Sequence, residues 1–173
     1  STNGIDSSPG DHPNFAFATI KRAIQAVEES TAGPHEIHIL AGEYEEEFPL
    51  EVPMNTTIKG YSLRSVTVKP TVATQNKDAF LLNEASLVSD LTVRDFYYDS
   101  GNNTGYAFRF APNANLIGKS PYVQNLTVLT KGSTVSVADP RGFASGDAGK
   151  GVLLDGSVVD PSSYSASMLF NAV

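Results

Sequence analysis

The stretch Phe17-Ala18-Thr19-Ile20-Lys21-Arg22-Ala23-Ile24 is followed by Ile37-His38-Ile39-Leu40-Ala41-Gly42-Glu43-Tyr44 and then by Thr57-Ile58-Lys59-Gly60. The first part has helical spacing, with Phe17, Ile20, Ile24 and Val27 on one face. Ala16, Ala18, Ala23 and Ala26 favour a helix, while Lys21, Arg22, Gln25, Glu28 and Glu29 fall mostly on the other side. Asn14 or Thr19 is the candidate N-cap, and Gly33-Pro34 ends the segment. The two later parts are short, β-type runs that each close on glycine.

Working outward, more short strands follow at Val66-Thr67-Val68, Ala79–Leu82, Leu87–Val93, Tyr106–Phe110, Val123–Leu129, Val152–Leu154 and Met168–Phe170. They read as pairs. Ile37–Leu40, Ala79–Leu82, Ala107–Phe110 and Val152–Asp155 are first members. Thr57–Gly60, Leu91–Asp95, Leu126–Thr130 and Met168–Val173 are second members. Asp90-Leu91-Thr92-Val93 also looks like Asn125-Leu126-Thr127-Val128. A recurring unit of short strands and variable loops predicts a solenoid. The competing fold is an all-β sandwich. In a solenoid the first coil lacks a lower neighbour, so an amphipathic helix over about residues 15–30 would cap it. The expected organisation is an irregular segment over 1–13, then helix and roughly four coils over 14–173. The strand at Met168–Val173 has no such cover, which leads to the expectation that the chain is truncated at its C-terminal end.

Composition narrows the function classes. Of the 173 residues, 40% are apolar and the net charge is −7. That is a folded, acidic chain, which argues against a nucleic-acid partner. The absence of cysteine excludes disulfides, thiolate metal sites and cysteine nucleophiles. There is no apolar run long enough for membrane insertion.

The three opening motifs resemble those of the pectin-lyase-like superfamily. That resemblance implies an all-β, right-handed parallel β-helix with an N-terminal capping helix. Ser120-Pro121-Tyr122-Val123-Gln124-Asn125-Leu126-Thr127-Val128, Asp139-Pro140-Arg141-Gly142-Phe143 and Gly146-Asp147-Ala148-Gly149-Lys150-Gly151 resemble structural proteins of tailed bacteriophages, especially marine cyanophages. This second resemblance implies a virion component of the tail, baseplate, spike or fibre, extracellular when assembled. Its partners would be other virion proteins, with a homotrimeric state and host cell-surface polysaccharide as a further contact. No cofactor is implied.

Pectin methylesterases share the opening, and Asp90, Asp95, Arg109 and Gln124 are the nearest candidates for their carboxylate pair and helpers. The Gln-Asp-Thr signature of that family is missing, and Tyr97-Tyr98 after Asp95-Phe96 breaks its Asp-Phe-x-Phe-Gly signature. Asp90, Asp95 and Asp99 could be imagined around Ca²⁺, but Asp99-Ser100-Gly101-Asn102-Asn103 reads as a turn. Glu43, Glu45, Glu46, Glu47 and Glu51 read as a solvated loop or an edge guard rather than a glycosidase pair. Gly118-Lys119-Ser120 and Gly146–Gly151 depart from a phosphate loop. His12, His35 and His38 show no zinc pattern, and the Asn-x-Thr matches at Asn55, Asn102 and Asn125 fit turns or stacked polar positions. No catalytic or metal-binding residues are therefore assigned. The candidate contact residues, for glycan or a neighbouring subunit, are Phe96, Tyr97, Tyr98 and Tyr106. The alternative is a carbohydrate-active enzyme whose site lies outside these residues.

Overall fold

The computed structural model describes residues 1–30, 33–99, 101–102, 104–111 and 119–129, with the backbone of 153–154 and 157–158. The motifs at 139–143 and 146–151 and the strand expected at 168–173 lie outside the described residues.

The helix α1 spans Ile20–Glu28. Thr19 caps it, its hydroxyl accepting the Arg22 amide at 3.1 Å. Two carboxylates from elsewhere serve the neighbouring amides. Asp6 Oδ1 accepts from Ala18 and Thr19 at 2.8 and 2.9 Å. Glu46 accepts from Ile20 at 2.6 Å and from Lys21 at 3.2 Å. Their charge also meets the positive end of the helix dipole. Ile20 and Ile24 are buried, and Ala23 and Val27 pack beside them. Phe17 precedes the helix instead of joining its face, with the Arg22 guanidinium 5.2 Å from its ring centre.

Eleven strands are described. They are β1 His35–Ile39, β2 Gly42–Glu46, β3 Leu50–Val52, β4 Thr56–Gly60, β5 Val66–Pro70, β6 Phe80–Leu82, β7 Leu87–Arg94, β8 Phe108–Phe110, β9 Tyr122–Leu129, β10 Leu153–Leu154 and β11 Ser157–Val158. Sheet A runs β1-β4-β7-β5-β2, with β9 added on β7. Sheet B runs β11-β10-β8-β6-β3. Period-two alternation turns one face of each strand inward. Ile37, Ile58 and Val88 share one buried row, and Tyr44, Val68 and Val93 another. Phe80 stacks on Phe108, with ring centres 5.4 Å apart.

The regular right-handed β-helix solenoid expected from the sequence is not what the structure shows. The molecule is mainly strand with one helix, but β7 pairs with both β4 and β5, which joins them in one branched sheet. Sheet B ends in an antiparallel pair, β10 with β11. The branching has a local cause at Asp90. This residue takes a left-handed conformation, φ 59°, inside the eight-residue β7. The strand thus bends without ending, and its two halves meet different neighbours. Asn125, φ 49°, repeats the bend in β9 and donates to Asp90 Oδ1 at 2.5 Å. Asp and Asn tolerate this region better than most residues. The similarity of Asp90–Val93 to Asn125–Val128 is therefore real in space: Leu91, Thr92 and Val93 pair with Leu126, Thr127 and Val128. Most of the grouping into first and second members is real as well: the first members at 79–82, 107–110 and 152–155 contribute β6, β8 and β10, which stack in parallel in sheet B, and the second members at 57–60, 91–95 and 126–130 contribute to β4, β7 and β9 in sheet A. Ile37–Leu40 is the exception among the first members, since β1 lies against β4 in sheet A while β6 lies in sheet B.

Gly60 makes room for the bend, because a Cβ there would stand 2.1 Å from the Asp90 carbonyl oxygen. Gly60→Ala is expected to lower stability by about 1–3 kcal/mol, read as the thermal midpoint. Gly101→Ala, in an exposed turn, should change it little. Equal effects would contradict the role given to the bend.

Glu46 supplies a second test. Burial pushes its carboxyl above the usual range, while the Ile20 and Lys21 amides pull it down. A raised carboxyl binds its proton more tightly in the folded state. Its contribution is full below the ordinary value of 4.5 and is lost as pH rises through the raised folded value. Glu46→Gln is therefore expected to flatten the fall in thermal midpoint as pH rises above that ordinary value. An unchanged slope would show that Glu46 does not titrate this way.

Candidate contact site

Three short segments build the site: 74–78, 97–106 and β8. The chain leaves β7, passes Phe96 and makes an excursion that returns at Gly105. Its stem is a bridge between Asp99 and Thr104. Asp99 Oδ1 accepts the Gly101 and Asn102 amides at 3.0 and 3.3 Å, so the turn reading describes it well. These bonds and those from the Asn102 and Asn76 side chains hold the Asp99 carboxyl below its usual range.

The 74–78 segment straps the excursion down. The Tyr97 amide donates to the Gln75 carbonyl at 2.9 Å. The Thr104 hydroxyl donates to the Asn76 carbonyl at 2.7 Å. Asp78 completes the strap. Its Oδ1 accepts from the Gly105 and Tyr106 amides at 2.9 and 3.0 Å, and its Oδ2 lies 2.8 Å from Arg109 Nη1. Burial raises the Asp78 carboxyl, against the pull of those amides and of Arg109. Gly105 has φ 94°, and a Cβ there would clash with the Tyr97 carbonyl.

The rings then fall into place. The Arg109 guanidinium sits 5.0 Å from the Tyr106 ring centre. Tyr106 meets Tyr98 edge to face at 5.5 Å. Burial and the Tyr98 hydroxyl push the Tyr106 phenol well above its ordinary value. The rings are thus positioned by Arg109 and by Asp78, both of whose oxygens are engaged.

Of the four contact candidates, Phe96 and Tyr106 are buried in the interior. Neither offers a ring face to an outside partner. Tyr97 is 41% exposed and Tyr98 is partly exposed, so these two carry the accessible surface. The residues weighed for esterase chemistry are divided. Asp90 and Gln124 lie on sheet A and Arg109 on sheet B. Asp95, also left-handed at φ 64°, lies 3.6 Å from Arg94 Nε. His38 points outward, with Glu36 at 3.2 Å. Among the described residues, no group of three or more His, Asp or Glu side chains is placed to hold a metal ion.

The glutamate cluster divides by alternation. Glu43 and Glu45 face outward on β2 and meet Lys69 at 2.9 and 3.3 Å, with Arg94 also on Glu43. Glu46 faces inward. Sequence reading missed both Glu46 and Asp78 as organising residues. A glutamate two positions after an inward tyrosine was the available signal for Glu46.

Comparison with known proteins finds no matching family model, curated protein or solved structure.

Asp78→Asn removes the charge facing Arg109. Removing one charge of a buried pair is costly, so a loss of about 3 kcal/mol is expected. Chemical denaturation measures it. A loss below about 1 kcal/mol would place the pair among ordinary surface ion pairs.

Proposed function

We propose that the chain is a structural module of a tailed-phage virion, in the tail, baseplate, spike or fibre. It works through contacts with other virion proteins and assembles as a homotrimer. The observation that carries the structural part is the use of buried charge. Glu46 joins α1 to sheet A, and Asp78 joins the 97–105 excursion to sheet B. Each carboxyl group links two parts of the frame through the amides and the guanidinium that it meets. The virion part rests on the resemblance at Ser120–Val128, most of which forms β9 with Tyr122 exposed. Tyr97 and Tyr98 are the residues for a glycan or a neighbouring subunit, since phenol rings present an apolar face and a polar tip.

Light scattering on the full-length protein is expected to give the mass of three chains. A single-chain mass would overturn the trimer. Changing Tyr97 and Tyr98 to Ala should abolish binding to host cells while the protein stays folded, with a small fall in thermal midpoint from the lost Tyr98–Tyr106 contact. Release of sugars from host polysaccharide by the full-length protein would replace this reading with an enzymatic one.

A further inference from the structure

A cavity of about 830 Å³ runs between α1, part of the N-terminal segment and β1. Every residue from His35 to Leu40 lines it, so it follows β1 along its whole length. The facing wall is apolar, with Ala23, Ala26 and Val27 of α1. At about 3.3 Å per residue, a strand lying alongside the five residues of β1 would itself be roughly five residues long.

The backbone of β1 says what would fit. β1 ends the order of sheet A, with β4 on one side only. The His35 amide donates to the Asn55 carbonyl, and the Ile39 carbonyl accepts from the Tyr61 amide. Residues 35, 37 and 39 therefore point their main-chain groups toward β4. Alternation in a parallel ladder sends those of Glu36 and His38 to the other edge. Among the described residues, no hydrogen bond meets the main-chain N–H or C=O of Glu36 or His38. The opposite edge, β2, is treated differently. Thr2 packs on Gly42 so closely that a Cβ would lie 2.4 Å from its methyl, and Glu43 and Glu45 stand outward. One edge is covered and the other opens into an apolar slot.

Charge narrows the occupant. Asp11 and Glu36 line the slot with His12, His35 and His38, no Lys or Arg side chain does, and the Ser1 ammonium on its wall is turned onto the Phe17 carbonyl at 2.7 Å. We infer that this slot binds an extended segment of a partner protein, added to β1 as a further strand, in which apolar residues alternate with Lys or Arg. Main-chain bonds to Glu36 and His38 would supply affinity, and the α1 wall and the two carboxylates would select the sequence. The inference refines the contact-making reading above by naming a surface and a partner chemistry.

The test is panning of a random twelve-residue peptide library against the full chain. Enriched peptides are expected to alternate apolar residues with Lys or Arg, and to bind measurably by fluorescence anisotropy. His38→Pro removes an outward N–H and leaves the ladder to β4 intact. It should weaken binding at least about tenfold with the thermal midpoint kept. Ala26→Lys should do the same by charge repulsion, and decides the matter if the proline variant fails to fold. No enrichment, enrichment of acidic or non-alternating peptides, or undiminished affinity in the folded variants would overturn the inference. The trimer mass and the peptide binding can fail separately, so the two readings are distinguishable.

Discussion

A carboxylate taken out of water must find donors, and Glu46 finds them in the first amides of α1. Much of the fold's closed end depends on that exchange. The alternation of β2 places Tyr44 and Glu46 on the inner face. The Glu46 oxygens then fix where the helix can begin, and Asp6 fixes the turn before it. With its start held, α1 can lay Ile20 and Ile24 over the end of the core. Helix dipole, unpaired amides and buried carboxylate each satisfy a need of the others.

The bend at Asp90 plays the corresponding part in the middle of the chain. A strand that turned and stopped would give separate sheets. A strand that turns and continues gives one sheet with a branch. Asn125 repeats the path on one side, and Gly60 on the other leaves the room that the Asp90 carbonyl needs, so the bend is accommodated through main-chain geometry as well as packing.

Much of the strand content was legible in the sequence because β-branched runs are self-announcing. Val66-Thr67-Val68 and Leu91-Thr92-Val93 could hardly be read otherwise. Gly42–Glu46 and Leu50–Val52 were not legible as strands. The first is three glutamates around one tyrosine, and its membership comes from pairing with β5. The second is too short for any period to show. The α1 cap at Thr19 was readable among two choices, but the helix is shorter than the apolar spacing suggested. The solenoid expectation came from recurrence, and recurrence is blind to whether a bent strand ends. At the contact site the aromatic cluster was visible as composition, yet which rings face outward depends on Asp78 and Gly105. Those act through main-chain amides from 27 and 28 positions away. No local pattern carries such information.

The Asp99–Thr104 stem has one more consequence. Its two ends are tied by their own backbone bonds, 2.8 and 3.2 Å, and Gly101 and Asn102 beyond them are exposed. Asn102 turns its side chain back onto Asp99 Oδ2 at 2.8 Å, and Gly101 carries none. A tip that is anchored at its base and unburdened at its apex is where a chain can acquire new sequence without refolding. The molecule thus offers a grafting point for foreign loops, on the same flank as Tyr97 and Tyr98, where a lineage could change what it touches while keeping how it stands.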